Sequence, residues 1–200
     1  MGAVLMCGLV PHPPLLIPDV GGSERQRVEK THSSMTRLAE EIVQLSPDTL
    51  IIISPHAPVY SDVLPVLYGD SLNGSFARFA APHVSFKYKY DKDLASDIIY
   101  SCEQVDIPVI DITSSSSWRY GMSMKLDHGA MVPLYYLDKA GFDVPIVLIG
   151  LAMFSPEKLY TIGKAIQDAV LASSKNVCVI ISGDLSHRLT IDAPAGFDPR

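Results

Sequence analysis

The stretch Thr49–Pro58, TLIIISPHAP, decides the reading of the fold. Leu50, Ile51, Ile52 and Ile53 run together with no polar alternation. Such a run belongs to a strand buried on both faces, as in a parallel or mixed sheet covered by helices. Pro55 has no N–H and disfavours helix at Ser54, so the strand stops there and His56 follows the stop. An imidazole is thereby held at the carboxyl end of a central strand, where open α/β sheets place their ligands. The pattern occurs twice more. Val4–Val10 is apolar and runs into Pro11-His12-Pro13-Pro14, and Val177–Ile181 runs into Ser182-Gly183-Asp184-Leu185-Ser186-His187. Three strands therefore each deliver a histidine to the same edge.

Outward from these strands the chain alternates. Ser23–Leu45 reads as mostly helix, with Ser23 as N-cap and Met35, Leu38, Ile42 and Leu45 at helical spacing. Val63–Leu67 and Ser75–Phe79, joined through Gly69-Asp70 and Asn73-Gly74, predict a hairpin. Val84, Phe86, Tyr88 and Tyr90 alternate with polar residues, as in a half-buried edge strand. Asp91–Gln104 predicts a helix and Pro108–Thr113 a strand. A polar loop, Ser114–Ser117, and the single tryptophan, Trp118, follow. Ala130–Ala140 predicts a helix closing at Gly141, Pro145–Leu151 a strand, Pro156–Ser173 a helix and Asn176–Ser182 the last strand. The class is α/β, with a mixed, mostly parallel central sheet and helices on both faces. Residues 183–200 carry prolines and glycines and no helical pattern, although a helix should cover the last strand. The domain is expected to continue past Arg200.

Composition narrows the function. The chain has 200 residues, enough for one α/β domain spanning 1–200, and 48% hydrophobic against 19% charged residues place it among folded proteins. A net charge of −6 with no Lys/Arg cluster argues against nucleic-acid binding. No apolar run reaches the ~18–20 residues that span a bilayer, and no signal peptide is evident. Cys7, Cys102 and Cys178 are an odd set in strands and a helix, which suggests reduced, packed thiols and a cytoplasmic setting.

Three histidines at strand ends, with His128 beside Asp127, form a pattern suited to metal binding or acid/base work. Neutral imidazole ligates iron, zinc and copper, and an unligated histidine can move a proton near neutral pH. Any one of these histidines alone reads more readily as a satisfied structural group than as a ligand, but three at equivalent strand ends shift the balance, because that edge is the expected pocket. His32, in a helix, and His83, after Pro82, are assigned to solvent or local hydrogen bonding. Asp127 can orient the His128 imidazole or cap a helix, and Gly129 can admit a ligand close to the backbone. Asp184 and Ser186 can stabilise a turn after the last strand.

Four motifs together resemble the class III extradiol ring-cleavage dioxygenases, the family of the LigB catalytic subunit. They are PHPPLLIP at Pro11–Pro18, SPHAP at Ser54–Pro58, LDHGAMVPLYYL at Leu126–Leu137 and SGDLSHRL at Ser182–Leu189. The resemblance covers essentially the whole chain and is strongest to the LigB-like domain of AmmeMemoRadiSam proteins. It implies a LigB-like, phosphorylase/hydrolase-like domain with a non-haem Fe(II) site, zinc being the alternative metal. His12 and His56 match the two histidine ligands, His187 the acid/base, and His128 a second histidine that hydrogen-bonds substrate or O2. The implied reactants are a small catecholic aromatic substrate and O2. The Memo branch implies instead a metal-binding protein that works with an AMMECR-type domain and a radical-SAM partner. Neither branch settles the oligomeric state, a homo-oligomer included. The family's glutamate ligand lies downstream of the GDLSH motif, and no residue here matches it.

Overall fold

The computed structural model describes residues 1–116, 125–193 and 195–199. Its strands are β1 (Ala3–Val10), β2 (Thr49–Ile53), β3 (Val59–Tyr60), β4 (Leu64–Leu67), β5 (Ser71–Phe76), β6 (Ala81–Lys89), β7 (Val109–Ile112), β8 (Ile146–Ile149), β9 (Leu151–Ala152) and β10 (Asn176–Ser182). The helices are α1 (Pro18–Gly21), α2 (Glu29–Leu45), α3 (Lys92–Glu103), α4 (His128–Lys139) and α5 (Pro156–Ala172). Six strands form the central sheet in the order β1-β10-β2-β8-β4-β7. β1, β10, β2 and β8 are mutually parallel, and β4 turns the sheet mixed by running antiparallel to β8 and parallel to β7.

The buried-strand reading of TLIII holds. Leu50, Ile51 and Ile52 are each 0% exposed, and β2 sits between β10 and β8 with neither edge free. Helices α2 and α4 pack on each other over one face, closing on Val10 and Ile180. Helices α3 and α5 pack on each other as a second pair. No helix among the described residues is long and apolar enough to cross a membrane.

Three expectations fail locally. Ser23 is not an N-cap: Gly22–Val28 is a 3-10 segment, and α2 begins only at Glu29 with no side-chain cap. The residues from Ser23 to Arg27 offer no apolar stripe for the sheet, whereas Met35, Ala39 and Ile42 bury theirs. The predicted hairpin pairs the wrong strands. β4 is fully buried in the central sheet, and β5 pairs antiparallel with β6 instead. Asn73-Gly74 lies inside β5, and a Cβ on Gly74 would stand 2.8 Å from the Leu126 carbonyl oxygen, so glycine is there for close approach and not for a turn. Cys7 is exposed on edge strand β1, while Cys102 and Cys178 are buried. Trp118 and Ser117 fall outside the described residues. Ser115 and Ser116 bond to Thr113 within their own loop. Among the described residues after Ser182 there is no helix or strand.

At the sheet edge opposite the histidines, Asp91 caps α3 through Leu94 N–H, and its carboxylate receives Lys175 Nζ at 2.5 and 2.6 Å and the Thr49 hydroxyl. Burial alone would raise the Asp91 carboxyl. Lys175, Thr49 and the Leu94 N–H overcome this and hold it below 3.8. A carboxyl depressed in the folded state contributes stability that is complete above its unfolded value and is lost as pH falls through the folded one. Replacing Lys175→Met should leave a buried, unpaired carboxylate at a cost of about 3 kcal/mol. Urea unfolding at neutral pH checks this, and the deficit should shrink in acid as Asp91 protonates.

Candidate metal centre at the carboxyl edge of the sheet

Adjacent parallel strands β1, β10 and β2 end side by side, so the loops after them meet. His12 arrives from β1, His56 from β2 and Asp184 from β10, and His128 opens α4 beneath them. His12 is only 3% exposed. One nitrogen from each of His12, His56 and His128 lies within 4.8 Å of the others. The His56 and His128 rings are tilted by 36° with centroids 3.9 Å apart, and His12 stands edge-on to both.

A proline sets the chemistry of His12. Pro133 lies inside α4 and has no N–H, so the carbonyl four residues earlier, that of Gly129, loses its helical donor. The Ser182 hydroxyl supplies the missing bond, donating to Gly129 O at 2.6 Å. A hydroxyl has one proton, so toward His12 Nδ1, 2.8 Å away, Ser182 accepts. Nδ1 therefore carries the ring proton, and Nε2 presents a lone pair to the cluster. Fixing the tautomer through the second ring nitrogen is the usual support for a metal-ligating histidine.

That lone pair faces His56 Nε2 at 3.1 Å. Two imidazole nitrogens each about 2.1 Å from one ion, at roughly a right angle, stand about 3 Å apart. The residues present thus fit a bound metal. Burial is the main cause that holds the His12 imidazole below 6.5; the Asp184 carboxylate opposes it and His56 adds to it. Burial and then His56 lower His128 likewise. Both rings are neutral at neutral pH, the form that ligates.

Of its two expected roles, Asp127 takes the helix cap. It caps α4 through Ala130 N–H at 3.1 Å, and the same Oδ1 accepts the Ser54 hydroxyl at 2.6 Å. Ser54 in turn accepts the His56 backbone N–H at 3.3 Å. Asp127 Oδ2 is buried with no partner in the protein. Asp184 Oδ1 accepts the His12 backbone N–H at 3.1 Å, and Oδ2 lies 3.5 Å from His12 Nε2 and 3.3 Å from His187 Nε2. His187 itself is 69% exposed and stays outside the three-imidazole set. His32 and His83 play other parts. The Tyr136 hydroxyl donates to Leu16 O and accepts from His32 Nδ1 at 2.9 Å, and His83 pairs with Asp19 at 2.7 Å. Sequence reading overlooked Ser182 and Pro133 as a coupled pair; the available signal was a proline four residues after a helix-opening glycine.

A parallel-sheet edge where one buried, one half-buried and one exposed imidazole converge marks an α/β domain with a set of side chains that could hold a metal ion. Residues 6–199 match the family profile described as the catalytic LigB subunit of aromatic ring-opening dioxygenase, and the chain belongs to that family. It is 39% identical over 191 residues to Protein CA_C1420 of Clostridium acetobutylicum, covering 96% of this chain and 41% of that protein. It is 26% identical over 103 residues to a 4,5-DOPA dioxygenase extradiol-like protein of Schizosaccharomyces pombe, covering 52% of this chain and 30% of that one. The chain thus spans less than half the length of the curated relatives it matches.

Two outcomes are expected. A Cβ at Gly129 would meet Ser54 Oγ at 2.5 Å and His56 Cδ2 at 3.3 Å. Gly129→Ala should therefore break the Ser54–Asp127 bond, displace His56 and destabilise the protein by about 1–3 kcal/mol, read by thermal unfolding. Second, His12 and His128 bind protons less readily folded than unfolded. Stability of the metal-free protein should be full above pH 6.5 and decline as pH falls below it. Denaturant titrations across that window check the slope, which His128→Asn should reduce.

Proposed function

We propose that the protein is a non-haem Fe(II)-dependent extradiol dioxygenase that opens the ring of a catecholic substrate with O2. The observation that carries this reading is the His12 Nε2–His56 Nε2 pair at 3.1 Å, with the His12 tautomer set by Ser182. His12 and His56 would hold the iron. When bound, iron supplies a centre that orients both reactants and lets electron density pass between them. The rest falls to the protein. His128 lines the cavity beside His56 and can hydrogen-bond a substrate hydroxyl or oxygen. His187 takes the hydroxyl proton and returns it during ring opening, and Asp184 at 3.3 Å orients its ring. Buried free thiols at Cys102 and Cys178 favour a cytoplasmic setting.

A second reading follows from one observation: among the described residues, the possible ligand atoms that lie within 4.8 Å of one another come from His12, His56 and His128 and include no carboxylate. An all-histidine set also suits zinc, and it suits a Memo-like protein that binds metal alongside an AMMECR-type domain and a radical-SAM partner without cleaving rings.

Metal analysis and oxygen uptake separate the two. His12→Ala and His56→Ala should each lose metal on anaerobic purification. His187→Ala should keep its iron while oxygen uptake with a catechol panel falls by about 10²–10⁴-fold. Loss of iron from His187→Ala would reverse the assigned roles. A flat oxygen trace from iron-loaded wild-type protein would favour the second reading.

A further inference from the structure

A cavity of about 610 Å³ opens beside His56 and His128, and Arg78, Phe79, Lys125 and Met131 are among the residues that line it. Among the described residues the His128 ring makes no hydrogen bond. Its ring neighbours are His56 at 3.9 Å, Phe79 at 5.4 Å and His12 at 5.7 Å between centroids. His56 and His12 are the residues that would hold the iron. Phe79 is therefore the one ring neighbour of His128 that is free of the metal.

The contact between the two is of a specific kind. The Phe79 and His128 planes meet at 63°, an edge-to-face arrangement. Such pairs are favoured by the ring quadrupole and contribute beyond the area they bury. An imidazole with no hydrogen bond is otherwise free to choose among its rotamers, and each choice points its nitrogens elsewhere.

Phe79 is itself held in place from several sides. It lies in the connection between β5 and β6, which pair with each other apart from the central sheet. Its ring packs 5.8 Å from that of Phe76, which is fully buried. The next residue, Ala80, closes the turn at φ 60°, with its N–H donating to Ala77 O. Alanine enters this left-handed region at a steric cost, so the surrounding structure must impose it. On one flank Leu126 N–H donates to Asn73 O at 2.8 Å. On the other, His83 of β6 pairs with Asp19 in the segment that follows His12. The turn is thus tied both to the strand-to-helix segment that leads into His128 and to the loop that carries His12.

We infer that Phe79 is a positioning residue: its ring holds the His128 imidazole beside His56 and turned toward the cavity, so that His128 meets a ligand already oriented. The inference rests on the reading of His128 as the partner of a substrate hydroxyl or oxygen.

Two measurements test it. The first uses metal-free protein with isotope-labelled histidine, in which three-bond NMR couplings report the His128 side-chain rotamer. The wild-type protein should show one rotamer. Phe79→Ala should average it, and Phe79→Leu, which keeps most of the bulk and guards against loss of the fold, should do the same. Phe79→Tyr should restore the single rotamer. The second is calorimetric binding of catechol to the iron-loaded protein without O2. Phe79→Ala should weaken binding by about three- to tenfold, the range of an edge-to-face aromatic pair. In a His128→Ala background the same change should weaken it by less than about twofold, because Phe79 acts through His128. A single His128 rotamer in both the Ala and Leu variants overturns the inference. So does a loss on Phe79→Ala that is equal with and without His128, since Phe79 would then touch the ligand or merely support the wall. Either result leaves the catechol reading standing. If His128→Ala binds catechol as tightly as wild type, or wild type does not bind it, the reading of His128 falls, and the rotamer measurement alone decides whether Phe79 positions the ring.

Discussion

The Ser182 hydroxyl is the contact on which the site depends. It stands between a carbonyl that Pro133 has deprived of its helical donor and a ring nitrogen of His12. Because a hydroxyl has a single proton, donating to Gly129 obliges it to accept from His12, and that choice turns the lone pair of Nε2 toward His56. Helix α4, strand β10 and the loop after β1 are thus joined by two hydrogen bonds in a buried setting. There an unmade bond costs far more than a made one contributes. A proline that weakens a helix becomes the reason a histidine is held in its ligating form.

The remainder of the site is arranged to keep these groups still. Asp127 ties α4 to Ser54, and Ser54 ties back to His56. Asp184 bridges the His12 backbone and the His187 ring, so the loops after β1 and β10 move together. At the other end of the same strands, Asp91, Thr49 and Lys175 tie β2, α3 and the start of β10 to one another. Polar networks thus close both ends of a sheet whose middle is entirely apolar. A sheet tied by hydrogen bonds at both ends suits a centre whose ligands must hold their geometry to within a fraction of an ångström.

Much of this was legible before any coordinates. The uninterrupted TLIII run predicted a strand enclosed on both sides, and Leu50 to Ile52 are indeed fully buried. Proline stops placed His12 and His56 past strand ends, and they meet. Local rules misled where tertiary contact took over. Asn73-Gly74 has the chemistry of a hairpin turn, yet the glycine serves Leu126 and Met131 across a sheet-to-helix gap. Ser23 has the chemistry of a cap, but the residues after it have no apolar stripe to bind a helix to the sheet.

By itself the sequence determined the α/β class, the strands that end in histidine and membership of a ring-opening dioxygenase family, because apolar periodicity, proline stops and short motifs are local in the chain. Only the tertiary structure decided that β10 lies between β1 and β2, that Ser182 rather than a carboxylate meets His12 Nδ1, and that Arg78 and Lys125 share a cavity with His56 and His128. Those facts depend on residues between about 20 and 170 positions apart, and such pairings are set by how strands order themselves in a sheet, which no local pattern encodes.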